Sequence, residues 1–120
     1  MKFLALALAA LLTGCATIDR SPSQLTRLRD GQAVTITGSI GSNSEDGMIS
    51  TLTHRRLTVI INNDKAISAP INASNYTGEF SGAWKDKTVS ALCSSEKRSN
   101  WIDVRCVIFI DNERTVTLTF

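Results

Sequence analysis

Val89-Ser90-Ala91-Leu92-Cys93-Ser94-Ser95, followed by Glu96 to Asn100 and then by Trp101-Ile102-Asp103-Val104-Arg105-Cys106-Val107-Ile108-Phe109-Ile110, is the stretch that decides the fold. Val89, Ala91 and Cys93 alternate with smaller polar residues. After the charged break, Val104, Cys106, Ile108 and Ile110 alternate against Arg105, Val107 and Phe109. A period of two is the mark of strands that bury one face. A regular hairpin whose loop is centred on Ser99 and Asn100 places Cys93 directly opposite Cys106, a separation that a cross-strand disulfide can bridge.

Working outward, Asp111-Asn112 is a hairpin turn, and Arg114 to Phe120 alternates Thr115, Thr117 and Thr119 with Val116, Leu118 and Phe120. Upstream, Asn72 to Asp86 is irregular and carries Tyr76, Phe80 and Trp84 at intervals of four. That spacing predicts either a short, poor helix with three aromatics on one face or an aromatic-stapled loop, since Gly78 and Gly82 weaken a helix. Lys65 to Ile71 is a short strand stopped by Pro70, and Asn63-Asp64 turns the chain into it. From Met48 to Asn62 the pattern is extended, with Leu57, Val59 and Ile61 on one face and Arg56, Thr58 and Ile60 on the other. Ser42 to Gly47 is a polar loop ending in the turn signal Asp46-Gly47. In Gln32 to Gly41, Val34, Ile36 and Ile40 alternate with Thr35, Thr37 and Ser39. Gly38 on the apolar side predicts a bend or bulge. Ser21 or Ser23 can cap a short helix carrying Leu25 and Leu28 and closed by Asp30-Gly31. The expectation is all-β: a small OB-like barrel, or a small β-sandwich, with a short N-terminal helix, a short helical or irregular insert and one disulfide.

The first residues read differently. Lys2 is a positive n-region, and Phe3 to Leu12 is an apolar run shorter than the roughly 20 residues a membrane span requires. It ends in Leu12-Thr13-Gly14-Cys15, a leucine, two small residues and a cysteine. This resembles the lipobox of bacterial lipoproteins. The resemblance implies cleavage before Cys15, a diacylglyceryl thioether on its sulfur and usually a further acyl chain on the new N-terminus. Two or more chains anchor stably, because each buried methylene adds about 0.8 kcal/mol. Ala16 replaces the aspartate that retains enterobacterial lipoproteins in the inner membrane, so the class implies an outer-membrane anchor facing the periplasm. The chain then divides into a signal peptide 1–14, a lipidated tether 15–22 and a β domain 23–120.

Removing 14 of 120 residues leaves one domain's worth of chain. The formal charge is +2, Lys2 included, which gives no basic excess of the kind nucleic acid would call for. With Cys15 assigned to lipid, Cys93 and Cys106 form an even pair in an oxidising compartment. Their spacing is unlike a Cys-x-x-Cys redox centre. Two cysteines and the lone His54 fall short of a zinc site, so no metal and no cofactor is expected. His54 stands beside Arg55 and Arg56, which disfavour its charged form. No Gly-x-Ser-x-Gly, His-Glu-x-x-His or phosphate-loop pattern occurs, and the carboxylates fall at turns. Asn72-Ala73-Ser74 and Asn75-Tyr76-Thr77 match a glycosylation pattern that bacterial envelope proteins seldom use.

The expected function is therefore non-enzymatic binding by an anchored domain. Trp84 and Trp101 with Arg55, Arg56, Lys97 and Arg98 are the candidate partner-binding residues, because Trp, Tyr and Arg dominate interface hot spots. In leader, size and single disulfide the chain resembles the phage-encoded lipoproteins of the Cor and Llp kind. That resemblance implies an outer-membrane protein as partner and the blocking of a phage receptor, that is, superinfection exclusion. The alternative is a housekeeping OB-type lipoprotein that binds a small molecule or glycan.

Overall fold

The computed structural model describes residues 18–42, 54–72 and 75–120. The leader, Leu12-Thr13-Gly14-Cys15, the loop ending in Asp46-Gly47, the first glycosylation pattern beyond Asn72 and the side chain of His54 lie outside the described residues. Two antiparallel sheets are formed. The first contains β1 (Ile18–Arg20), β2 (Gln24–Arg27), β3 (Ala33–Ser42), β4 (His54–Ile61) and β5 (Asp64–Asn72), with β1 and β2 both paired to one side of β3 and the meander β3-β4-β5 completing it. The second is the meander of β6 (Gly78–Trp84), β7 (Lys87–Lys97), β8 (Ile102–Ile110) and β9 (Glu113–Thr119).

Each sheet buries one face against the other, as the alternation requires. Val34, Ile36, Ile40, Leu57, Val59, Ile61, Ile67 and Ile71 face Trp84, Val89, Ala91, Cys93, Val104, Cys106, Ile108, Ile110, Val116 and Leu118, all buried in one core. The meanders turn tightly because their turn residues tolerate the left-handed region. Asn62 and Asn63, and again Asp111 and Asn112, have positive φ, as two-residue hairpin turns demand. Thus the β4–β5 turn is built on Asn62-Asn63, one residue earlier than the sequence suggests.

Cys93 pairs directly with Cys106 in the β7–β8 ladder and is disulfide-bonded to it, with Cα atoms 4.0 Å apart. The expected register holds along the whole hairpin.

The sheets stay separate, without hydrogen-bonded closure, and no helix occurs among the described residues. The arrangement fits the sandwich alternative, and no closure into the OB-like barrel occurs among the described residues. The expected N-terminal helix is strand β2, with Leu25 exposed and Leu28 buried in the turn beyond it. The expected helical or irregular insert is largely strand β6. Pro70 does not stop β5, which runs to Asn72. It sits on an edge strand, where a missing N–H costs no ladder bond. Gly38 marks no bulge, since the β3–β4 register runs through it unbroken. A Cβ there would come within 2.9 Å of Leu118 Cδ1 and 3.0 Å of Phe120 Cζ, so the glycine lets β9 lie close over β3. The ladder irregularities fall instead at Val59/Ile60 and Ile108/Phe109.

The side of β3 shared by β1 and β2 sets up the site. Ser21 is buried at the break between the two strands. Its N–H donates to the Gly38 carbonyl at 2.9 Å, and its Oγ accepts from the Gly38 N–H at 2.8 Å. Beyond this hinge, β2 reaches across to the second sheet. Gln24 Nε2 donates to the Thr117 carbonyl, and Arg29 Nε pairs with Glu113 Oε2 at 2.6 Å. β2 and the turn after it therefore bridge β3 and β9. β1 belongs to the stretch read from sequence as tether, so part of that stretch, Ile18–Arg20, is paired strand.

Candidate functional site

Where β1 replaces β2 along β3, a cleft of about 520 Å³ lies between the sheets. It is lined by Asp19 of β1, Ile40 of β3, Tyr76 from the β5–β6 connection, Asn100 and Trp101 at the β7–β8 loop, Ile102 and Val104 of β8, and Phe120. Apolar side chains predominate, and the polar groups are few. That is the composition of small-molecule and anchor-residue pockets, which typically enclose about 300–1,000 Å³.

Arg55 borders this cleft because of its phase in β4. It shares the inward face with Leu57, Val59 and Ile61, at the end where the core opens. Its side chain is only 16% exposed and is held by lining groups: Nη1 donates to Tyr76 Oη at 2.9 Å, Nη2 donates to the Ile40 carbonyl at 3.2 Å, and Nη1 lies 3.4 Å from Asp19 Oδ2. The guanidinium carbon also stands 5.9 Å from the centre of the Tyr76 ring. A half-buried cation needs such partners, since desolvating it alone is costly. Arg55 therefore fixes Tyr76 and ties β1 to β3 and β4.

Trp101 stands at the mouth. It is 58% exposed, a large aromatic side chain left more than half in contact with solvent. It is nevertheless oriented, because its Nε1 donates to Asp103 Oδ1 at 2.9 Å while Asp103 Oδ2 accepts from Arg98 Nε at 2.8 Å. The Arg98 hydrogen bond, with a smaller contribution from Trp101, holds the Asp103 carboxyl below its ordinary value, while partial desolvation opposes it. The same pair raises Arg98 further above its already high value. Ser95 Oγ donates to the Asn75 carbonyl and so binds β7 to the connection that carries Tyr76.

The six candidate binding residues thus separate. Arg55 and Trp101 converge on the cleft. Arg56, one residue out of phase, lies on the outer face of its sheet, where Nη1 bonds Ser68 Oγ at 3.1 Å. Trp84 is a correction: it is 2% exposed, packed in the core, with Nε1 donating to Asp64 Oδ2 at 3.2 Å. It packs within the core, away from the surface. Lys97 is exposed, and Arg98 serves the hairpin brace just described. Sequence reasoning missed Asp19, Tyr76, Asn100, Ile102 and Phe120 as lining residues. A signal for the site did exist in Arg55, whose parity matches the buried residues of β4.

A second depression of about 290 Å³, at the opposite end of the hairpins, is bordered by Lys87 with Asp30 at 3.3 Å and Asp111 at 3.9 Å, and by the Arg29–Glu113 pair. Its charges are satisfied among themselves. No group of three or more His, Cys, Asp or Glu side chains placed to hold a metal occurs among the described residues. Comparison with family models, with curated protein sequences and with solved structures returned no match.

Proposed function

We propose that this protein is a lipoprotein anchored in the outer membrane through Cys15, facing the periplasm, whose cleft grips an envelope protein without catalysing a reaction. In this reading the partner is an outer-membrane protein that phages use as receptor, and its occupation excludes superinfecting phage. The observation that carries the binding role is Trp101, exposed by more than half yet fixed by Asp103 at the mouth of an apolar cleft. A large aromatic whose orientation is already set loses little freedom on association, which is the property of a binding anchor. The anchor rests on Leu12-Thr13-Gly14-Cys15. The test is affinity capture of the mature lipoprotein from envelopes, with a photoreactive residue at position 101. A single outer-membrane protein cross-linked at that position supports the reading, and capture of none overturns it.

The second reading, a housekeeping module for a small molecule or glycan expected from sequence as OB-type, is favoured by one observation, the volume of the cleft. Capture of a saccharide or metabolite in place of a protein would establish it.

A further inference from the structure

We infer that the same cleft also receives an acyl chain of the lipid on Cys15, so that the protein covers its own partner-binding surface until the lipid enters a bilayer. The inference deepens the proposed function and rests on the lipobox reading. Three observations lead to it. The walls supplied by Ile40, Ile102, Val104, Phe120 and the Tyr76 ring are apolar, while the carboxylate of Asp19 and the amide of Asn100 belong to the same lining. An acyl chain joined to a polar glyceryl or amide group has that division. Among the described residues, no buried side-chain nitrogen or oxygen lacks a hydrogen-bond partner. Fully buried polar atoms behind the wall are therefore all partnered, and the exposed polar side chains of the lining are those of Asp19 and Asn100, apart from the apolar wall.

The third observation is position. Asp19 lines the cleft, and Cys15 precedes it by four residues, a distance of at most about 14 Å in extended chain. In that reading the lipid is attached within reach of this cleft. A covalently attached group at that range acts at a high effective concentration, so even a shallow site is filled. The cleft is open to solvent and covers an acyl chain incompletely, whereas the hydrocarbon core of a bilayer covers it on all sides. Insertion therefore withdraws the chain and exposes Trp101, Ile102 and Phe120 to a partner at the membrane. Coverage before insertion and binding after it follow from one surface.

The test uses the full-length lipoprotein made in cells supplied with a photoreactive fatty acid. It is irradiated either after dilution from detergent into buffer below the micelle concentration or after insertion into phosphatidylethanolamine–phosphatidylglycerol vesicles. The expected result is a cross-link within one chain, from the acyl group to the peptide containing Ile102 and Val104 or to Phe120, present in dilute buffer and lost in vesicles. Ile102→Glu should lose it while keeping the native disulfide and far-UV spectrum; the unsubstituted map stands without that variant. Cross-links only between chains, or only to lipid in both conditions, would overturn the inference and leave the anchor intact. Cys15→Ser protein in vesicles whose phospholipids carry the same photoreactive chain should show no cleft cross-link, and one appearing there would assign the cleft to bilayer lipid instead. Absence of any label on Cys15 would overturn the lipoprotein reading, and this inference with it.

Discussion

Two tryptophans occupy opposite environments, and stability measurements separate them. Trp84 is enclosed by both sheets and hydrogen-bonded to Asp64, so Trp84→Ala leaves a cavity and an unpaired carboxylate. It should cost about 3–5 kcal/mol. Trp101 has most of its surface in water, and Trp101→Ala should stay within about 0.5 kcal/mol of the parent. Urea unfolding followed by far-UV circular dichroism measures both, and equal costs would contradict the assignment of Trp101 to binding. The Cys93–Cys106 bridge closes a loop with a sequence separation of 13. In the chain-entropy model such a loop contributes about 3 kcal/mol. Replacing both cysteines with alanine should lower Tm by roughly 10–20 °C in a domain of this size while the β spectrum persists.

Between elements, the tightest constraint is the crossing of β5 and β6. A Cβ on Gly82 would sit 2.0 Å from the Ala66 carbonyl oxygen, a backbone atom that cannot turn aside. Gly38 faces only side-chain atoms of Leu118 and Phe120, which can shift. Gly38→Ala should therefore cost the about 1–3 kcal/mol typical of overpacking, and Gly82→Ala distinctly more, as unfolding midpoints will show. The β7–β8 loop responds to acid for another reason. Arg98, chiefly, holds the Asp103 carboxyl below its ordinary value. A carboxyl depressed in the fold adds stability that is present above the ordinary value of about 3.9 and is lost as pH falls through the depressed one. The indole N–H resonance of Trp101 should therefore hold steady down to about pH 4 and move below it. Asp103→Asn should shift that resonance already at neutral pH.

The same element scale shows what a sequence can reveal. The β7–β8 register was readable because period two fixes which residues face inward, and the loop centre then sets which pair is opposed. β6 was not. Residues four apart share a face in a helix and in a strand alike, so Tyr76, Phe80 and Trp84 could not distinguish the two. β2 misled for a similar reason: Leu25 and Leu28 fit one helical turn, but Leu25 faces solvent and Leu28 is buried only after the strand has ended. Of the site, Arg55 was legible from its parity. Asp19 and Phe120 were not, since only the packing of the two sheets brings them together.

For the whole molecule, the decisive dimension is the distance from lipid to domain. β1 is paired with β3 at Ile18, and in the proposed lipoprotein the acylated Cys15 stands three positions before it, a span of about 10 Å at full extension. Under that proposal the cleft lined by β1 is held at the membrane surface, and the proposed partner presents a segment there. A short tether keeps the effective concentration in the millimolar range, enough for a modest site to occupy an abundant membrane protein. Cys15→Ser should accordingly abolish lipid labelling, release the chain from membranes and, at equal periplasmic level, reduce protection against the phage whose receptor is blocked. Trp101→Ala in the anchored protein should weaken protection to a comparable degree while leaving Tm and membrane fractionation unchanged. Efficiency of plating across a phage panel measures both. Protection retained by the soluble protein would separate receptor blocking from the anchor, and protection retained without Trp101 would move the contact away from the cleft.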